Sequence, residues 1–241
     1  MNVGLIGFGR LGKLLARHFA REHRLHVCDP RLDARAARRL GCAPVSFEEA
    51  ARQDVVVLCV PIAAFEGAVR RLARHVRPGA VVVDTCSVKE RPVAAMRRHL
   101  PRSVHILGTH PNFGPDSAAD SLEGRVLVLC PARLPRALYA RVKRGLARRG
   151  LVVVELTPAE HDRRMASSLA LTHFIGRGLI AAGAKTTGVD TEGYKRLLRI
   201  LETVGNDSRQ LFFDMHRYNR FAAPVRRRFL SRLRALDRGL G

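Results

Sequence analysis

The chain contains no tryptophan, and aromatic residues make up only 5% of its 241 positions. Its core must therefore be built mainly from leucine, valine and alanine, since hydrophobic residues still account for 46% of the sequence. No apolar run approaches the roughly 20 residues that a membrane-spanning helix needs, so we expect no membrane partner. The length allows one large domain, or a larger unit with a smaller companion.

Cysteine is also scarce, with five residues in the whole chain. None of them forms a C-x-x-C pair, and an odd count without metal-ligand spacing indicates free thiols in a reducing compartment. We therefore expect no metal site. The sequence enters a strand pattern at its first residues and shows no signal peptide, so it predicts a soluble cytoplasmic protein.

Acidic residues number only 21 against 43 lysines and arginines, which gives a formal net charge of +22. A basic surface of this kind can attract nucleic-acid phosphates. The arginines, however, are scattered through nearly every helix-like segment, and no basic arm is interleaved with aromatic residues. We therefore predict no nucleic-acid partner. The positive field can still steer an anionic substrate and cofactor.

Strand and helix patterns alternate through the first two thirds of the chain, which predicts an α/β fold with a doubly wound, mostly parallel sheet. From Thr157 onward only helical periodicity remains. We place the boundary there, with an α/β domain over residues 1–156 and an all-helical domain over residues 157–241. Strands are predicted over residues 2–6, 25–28, 55–60, 80–84, 104–108, 125–130 and 151–156, and the later helices over residues 157–182, 194–205, 208–222 and 224–236.

A glycine-rich turn follows the first strand directly and opens a helix, in the pattern G-x-G-x-x-G. In this context the first glycine permits a tight turn, the second lets a pyrophosphate approach the backbone, and the third lets the helix pack closely on the strand. The free N–H groups of the helix then face the phosphates. A glycine turn without a ligand is the competing interpretation. The motif predicts a Rossmann dinucleotide site formed by Gly7, Phe8, Gly9, Arg10, Leu11 and Gly12.

An acidic residue, Asp29, ends the second strand about 20 residues after the glycines, where a carboxylate binds the adenosine ribose hydroxyls. It would repel a 2′-phosphate and so favours NAD, whereas the nearby Arg31 could hold that phosphate and makes NADP the alternative. Asp29 also precedes a proline, and a turn-forming role competes with ligand binding. Val60 and Pro61 end another strand at the same edge and should border the nicotinamide half of the cofactor.

Two further strand ends carry polar side chains, with Ser87 after residues 80–84 and His110 and Asn112 after residues 104–108. A histidine near neutral pKa can take the proton of a substrate hydroxyl while hydride leaves the same carbon. A neighbouring serine can orient the imidazole. The competing interpretation is a histidine that only caps a Gly/Pro-rich loop.

These segments resemble the prephenate/arogenate dehydrogenase family over almost the whole chain. The most specific part is G-T-H-P-x-F-G-P at residues 108–115, and D-T-C-S-V-K at 84–89 and L-T-H-F-I-G at 171–176 also match. Residues 193–195 and 207–222 resemble the plant-type arogenate enzymes. The resemblance implies oxidative decarboxylation of a cyclohexadienol dicarboxylate by NAD(P), with His110 as catalytic base and Ser87 bonded to it. It also implies a homodimer formed through the C-terminal helices.

The resemblance further indicates substrate-binding residues. Arg199 is the first choice for a substrate carboxylate and Lys195 the second, while His173 lies on the substrate side and Asp120 would pair with the amine of arogenate. Asn112 stands where family members have methionine. Solvated surface charge, a core histidine and a loop aspartate are the competing interpretations of these positions.

Two other functions remain open from the sequence. One is a different Rossmann oxidoreductase, of the β-hydroxyacid dehydrogenase or imine reductase type, which would lack the loop that carries His110. The other is a non-catalytic nucleotide sensor or basic nucleic-acid binder, which would show salt-sensitive binding and no turnover.

Overall fold

The computed structural model describes all residues, 1–241, and they form two compact units, Met1–Ala159 and Glu160–Gly241. The division falls close to the boundary expected after residue 156. No helix of the chain combines the length and the apolar character that crossing a bilayer requires.

The first unit is built on one eight-stranded sheet, ordered β3-β2-β1-β4-β5-β6-β7-β8. All neighbouring strands are parallel except β6 and β7, so the predicted doubly wound, mostly parallel sheet is confirmed. The short β3 was not predicted, because two residues carry no readable periodicity. The strands are β1 Asn2–Ile6, β2 Arg24–Cys28, β3 Ala43–Pro44, β4 Val55–Leu58, β5 Val81–Asp84, β6 His105–Pro111, β7 Val126–Arg133 and β8 Val152–Glu155.

Helices pack on both faces of the sheet and bury many of its valine and leucine side chains, as runs of β-branched residues in a parallel sheet require. One contact is unusually close: a Cβ atom at Gly4 of β1 would lie 1.9 Å from the carbonyl oxygen of Ala50, so only glycine permits this approach. The helices of the unit are α1 Arg10–Phe19, α2 Ala34–Arg39, α3 Phe47–Ala51, α4 Ile62–Leu72, α5 Glu90–His99, α6 Pro115–Ala118 and α7 Arg136–Ala147.

The register of the central strands fixes where the loops after them lie. Ile6 of β1 pairs with Leu58 of β4, which pairs with Asp84 of β5, which in turn pairs with Gly108 of β6. The residues that follow these four positions therefore meet at one edge of the sheet, which we call the carboxyl edge. This is the edge at which ligands bind in open α/β sheets.

Strand β6 is longer than the sequence predicted, and this corrects the expected setting of His110. We expected the strand to end at Gly108 and His110 to lie in a loop. Instead β6 continues to Pro111, because β7 runs antiparallel beside it and pairs Val128 with His110. His110 is therefore held in a hydrogen-bonded strand, and only 5% of its surface is exposed.

The second unit is entirely helical, with a small core of Ala166, Ala170, Met215 and Ala222. The helix predicted over residues 157–182 is interrupted by a π-helical segment, Ala166–Ala170. The last two helices are separated by a turn in which the Asn219 amide donates to the carbonyl oxygen of Asp162 at 2.7 Å. The helices are α8 Pro158–Met165, α9 Leu171–Ala181, α10 Glu192–Asn206, α11 Arg209–Arg217 and α12 Ala222–Leu240.

Candidate active site

The glycine turn is wedged between the ends of three strands. Gly7 has a φ of +99°, and its N–H donates to the carbonyl oxygen of Cys28 at 2.9 Å. A Cβ atom at Gly7 would lie 2.3 Å from the carbonyl oxygen of Cys59, and one at Gly12 would lie 2.3 Å from that of Gly7. Both positions therefore require glycine, for conformation at the first and for close helix packing at the second.

Gly9 differs from these two because nothing lies within 4 Å of where its Cβ atom would be. It is exposed and caps the amino terminus of α1, where no side chain satisfies the free N–H groups. Open space beside unsatisfied backbone donors suits a phosphate group. The turn therefore fits the pyrophosphate of a dinucleotide, and a side chain at Gly9 would fill the space that the phosphate needs.

Asp29 fastens this turn to the end of β2. Its Oδ2 accepts a hydrogen bond from the Phe8 N–H at 2.8 Å, and its Oδ1 accepts one from the Arg31 N–H at 2.8 Å. A carboxylate oxygen can accept more than one hydrogen bond, so Asp29 keeps capacity for ribose hydroxyls. The structure thus brings three predicted cofactor residues together and gives Asp29 a structural role as well.

The side chain of Arg10 has a protein partner that the sequence did not reveal. Its Nη2 lies 2.8 Å from both carboxylate oxygens of Asp116 in α6. A second contact joins α1 to α6: His18 Nε2 lies 2.8 Å from the carbonyl oxygen of Ala118. The side chain of Leu11 packs against the core, so only its backbone can serve a ligand.

Val60 and Pro61 lie where predicted, at the carboxyl edge between β4 and α4. Pro61 precedes the first residue of α4, and the Val60 nitrogen lies 3.3 Å from the ideal Cβ position of Gly7. The segment after β4 therefore borders the glycine turn.

A fully buried ion pair joins the next two strand ends. Asp84 ends β5 and Lys89 precedes α5, and both side chains have 0% exposure. The Lys89 ammonium donates to Asp84 Oδ1 and to the carbonyl oxygen of Thr109 in β6. The Thr109 hydroxyl donates to the carbonyl oxygen of Asp84 at 2.6 Å, and the Cys86 N–H donates to Asp84 Oδ1 at 2.9 Å. Burial raises the pKa of the Asp84 carboxyl, and the neighbouring Lys89 charge opposes that shift.

This network holds Ser87 and His110 in fixed positions. Ser87 lies inside the loop that Asp84 and Lys89 close, and His110 follows the Thr109 that both of them bind. A Cβ atom at Gly108 would lie 3.3 Å from Asp84 Oδ2, and side chains two residues apart on a strand share a face. The His110 side chain therefore leaves the sheet on the same face as the Asp84 carboxylate.

The hydroxyl of Ser87 is buried and has no hydrogen-bond partner in the protein, so the bond to His110 that the resemblance implies is not formed in this structure. A buried hydroxyl without a partner costs about 1–3 kcal/mol, and such groups in native proteins call for a specific explanation. At the carboxyl edge, a hydroxyl left without a partner is available to a ligand.

The two remaining predicted residues of this unit are exposed. Asn112 lies just beyond β6, and its N–H donates to the carbonyl oxygen of Val126 at 3.0 Å. Asp120 follows α6 and is also exposed.

His173, Lys195 and Arg199 belong to the second unit. His173 is 4% exposed in α9, its Nε2 lies 3.6 Å from Asp207 Oδ2, and its Nδ1 is buried without a partner. Burial lowers the pKa of His173, and the Asp207 carboxylate opposes this. In α10, Lys195 is exposed and lies 2.8 Å from Glu192 Oε1, and Arg199 is exposed one turn later.

Sequence reasoning missed two groups: the Asp84, Lys89 and Thr109 network and the Arg10–Asp116 pair. The second unit holds a further buried pair. In that pair His161 Nδ1 lies 2.8 Å from Asp162 Oδ1, and neither side chain is exposed. An ionisable residue inside an apolar stretch signals that a partner exists. It does not signal which residue the partner is: Lys89 lies 5 residues from Asp84 in the chain, whereas Asp116 lies 106 residues from Arg10.

Two family models match the chain. "Prephenate dehydrogenase, nucleotide-binding domain" matches residues 15–155, more than half of the sequence, and "TYRAAT1-like, C-terminal domain" matches residues 179–241. The chain is 31% identical over 230 residues to arogenate dehydrogenase 2 of Arabidopsis thaliana, and 30% identical over 241 residues to arogenate dehydrogenase 1, both named chloroplastic. These alignments cover 91% and 95% of the chain, but only 64% and 37% of the two relatives.

A solved structure shares the fold at lower sequence identity. It is a prephenate dehydrogenase from A. aeolicus in complex with hydroxyphenyl propionate and NAD⁺, with 22% identity and a TM-score of 0.78. The match covers 99% of this chain and 90% of that one.

The buried network generates a prediction about stability. Lys89→Met would leave the Asp84 carboxylate buried without its cation, and breaking a buried pair in this way costs about 3–5 kcal/mol. The double variant Asp84→Asn/Lys89→Met should cost clearly less than the sum of the two single variants, because neither charge is left alone. Urea unfolding at neutral pH measures all three.

A matched control is Lys143→Met, which removes an exposed lysine from α7. It should change the free energy of unfolding by no more than about 0.5 kcal/mol. If Lys89→Met were as mild as Lys143→Met, the network would not hold the strand ends together.

Proposed function

We propose that this chain, which belongs to the prephenate dehydrogenase family, carries out the oxidative decarboxylation of arogenate or prephenate. The observation that carries the proposal is the meeting of three elements at one carboxyl edge: the open glycine turn, the unpartnered Ser87 hydroxyl and the buried His110. The chain spans less than two thirds of the first relatives it matches, so its activity remains a proposal.

The residues of the first unit fit a nicotinamide dinucleotide. The backbone of residues 7–12 would hold the pyrophosphate, Asp29 the adenosine ribose, and Val60 and Pro61 would border the nicotinamide end. When bound, NAD supplies the hydride acceptor for the reaction. We favour NAD over NADP because the Asp29 carboxylate would repel a 2′-phosphate, while the exposed Arg31 keeps NADP as the alternative.

His110 would act on the C4 hydroxyl of the substrate as general base. The imidazole takes the hydroxyl proton while the hydride leaves C4, and the ring carboxylate then departs as carbon dioxide and leaves its electron pair in the ring. Both changes together make the ring aromatic. The chain's part is to position and deprotonate, with the Ser87 hydroxyl fixing the imidazole or the substrate oxygen.

The distance between the glycine turn and His110 is consistent with His110 acting on a substrate that lies beside the nicotinamide. Gly7 follows β1 and His110 lies at the end of β6, with β4 and β5 between them. Three strand spacings correspond to about 14 Å at about 4.8 Å each. That distance leaves room for the nicotinamide ribose, the nicotinamide ring and a substrate ring between the phosphate turn and the histidine.

We propose arogenate as the preferred substrate, with Asp120 facing its side-chain amine. Asn112 would add a polar contact near the same end. The substrate carboxylates would bind Arg199, with Lys195 as the second candidate and His173 beside the substrate. Arg199 is favoured because Lys195 already pairs with Glu192 in its own helix.

We also propose a homodimer formed through the helical unit. Large apolar side chains of this unit lie exposed, among them Ile200 at 41%, Phe213 at 55% and Leu236 at 65%. A dimer interface through α10, α11 and α12 would remove these side chains from water. A cytoplasmic location stays a proposal that rests on the five free thiols.

The proposed chemistry predicts the behaviour of His110→Ala in a two-by-two assay of arogenate and prephenate with NAD and NADP. We expect kcat to fall by about 10²–10⁴, the range for loss of a general base, while the Kd for NAD stays unchanged. Reduction of the dinucleotide at 340 nm gives the rate, and calorimetry gives the Kd. The wild-type rates decide the substrate and the cofactor.

His105→Ala is a matched control, because His105 begins the same strand at the opposite edge. It should keep wild-type rates. Equal losses in both variants would show damage to β6 rather than lost chemistry, and an unaffected His110→Ala would remove the proposed base.

We expect Ser87→Ala to lower activity without lowering stability. Because the Ser87 hydroxyl has no protein partner, its removal should leave the melting temperature unchanged or raise it. Activity should nevertheless fall by about tenfold or more, since the substrate or the imidazole loses its partner. A loss of stability without a loss of kcat/KM would give Ser87 a structural role only.

A further inference from the structure

A large cavity lies against one face of the sheet in the first unit, between α1 and α7. Its volume is about 950 Å³. Protein interiors are close-packed and rarely hold voids larger than a water molecule, whereas ligand pockets measure about 300–1,000 Å³. A void of this size, which we call the sheet channel, therefore has the dimensions of a ligand site.

The floor of the sheet channel is aliphatic. It is formed by side chains at alternate positions of neighbouring strands, as the two-residue period of a strand dictates. From Val81 at the start of β5 to Thr85 just after its end, the floor runs for about 13 Å, at about 3.3 Å per residue. The floor positions include Val3, Leu5, Val55, Val57, Val83 and Leu107.

The sheet channel lies on the face of the sheet opposite to the one that His110 leaves, although Pro111 and Phe113 of the same segment line it. Thr109 lines the channel, so the next residue, His110, leaves the opposite face of the sheet. The hydroxyls at this end are already engaged: Thr109 donates to Asp84 and Thr85 donates to the carbonyl oxygen of Leu58 at 3.0 Å. This end of the channel therefore offers a ligand only apolar contact and no free hydroxyl donor.

Ionisable side chains line the rest of the channel. Glu22 is neutralised by Arg149, which it binds through both oxygens. The remaining charges are the arginines Arg141 and Arg148, both exposed, against Asp54. Beside Glu22, the Nδ1 atom of His23 is buried and has no hydrogen-bond partner.

We infer that the sheet channel binds an amphipathic carboxylate, with an alkyl chain along the valine floor and a carboxylate at Arg148 and His23. The floor length matches a chain of about the size of decanoate. The excess of arginine at the rim favours an anionic head group over a cationic one, and the His23 nitrogen supplies a hydrogen bond that the protein does not satisfy. Burial of the alkyl chain removes apolar surface from water and so favours binding.

The test is isothermal titration calorimetry with decanoate, below its micellar range, on the whole chain. We expect saturable binding at one site per chain, and no comparable binding of decyltrimethylammonium, which has the same tail and the opposite charge. Absence of saturable heat, or equal binding of the cationic amphiphile, would overturn the inference.

Two pairs of variants locate the binding. Val57→Phe places a larger side chain on the floor and should weaken decanoate at least tenfold, whereas Val152→Phe, on the exposed side of β8, should not. Arg148→Glu, at the residue that caps the end of α7, should weaken decanoate binding about fivefold, the worth of an exposed ion pair. Arg144→Glu in the last turn of α7 should not weaken it. Thermal melts show that each variant is folded.

Binding that survives Val57→Phe unchanged would place decanoate elsewhere and contradict the inference. The measurement does not depend on turnover. The binding experiment can therefore contradict the sheet-channel inference without bearing on the proposed dehydrogenase activity, and the activity assay can fail without bearing on the channel.

Discussion

One buried contact determines how the two chemical groups of the candidate site are held: the Lys89 ammonium between the Asp84 carboxylate and the carbonyl oxygen of Thr109. Removing two charges from water is expensive, and a buried pair adds little net stability over well-packed apolar residues. Its consequence here is geometric. It closes the loop that carries Ser87 onto the strand that carries His110, so both groups keep fixed positions before any ligand arrives. Pre-organisation of this kind is what positioning a substrate requires.

At the same carboxyl edge, backbone groups of the glycine turn form the proposed dinucleotide site. The glycine turn offers open space and free N–H groups at Gly9, and Asp29 fixes the turn to β2. Apolar strands therefore place the loops, and the few polar groups at their ends form the candidate site. The Arg10–Asp116 pair adds a tie between the glycine turn and α6 that no local pattern contains.

Much of this could be read from the sequence. Continuous valine runs predicted the central parallel strands, and the glycine spacing predicted the dinucleotide turn. Three features could not be read, each for a physical reason. Strand β3 is too short for a period, β6 extends to Pro111 only because β7 pairs with it, and the π-helical segment Ala166–Ala170 keeps a helical pattern of apolar residues. The pairing of Asp84 with Lys89 could not be predicted either, since spacing along the chain does not reveal which buried charges form a pair.

We propose that the substrate ring binds at the carboxyl edge, between the His110 imidazole and a dinucleotide held by the glycine turn. A crystal structure of the chain with NAD and tyrosine, the phenolic product expected from arogenate, is the direct test. We expect the phenolic oxygen to lie within hydrogen-bond distance of the His110 imidazole, with the Ser87 hydroxyl bonded to one of the two. A ring bound away from His110, while the dinucleotide occupies the glycine turn, would contradict it.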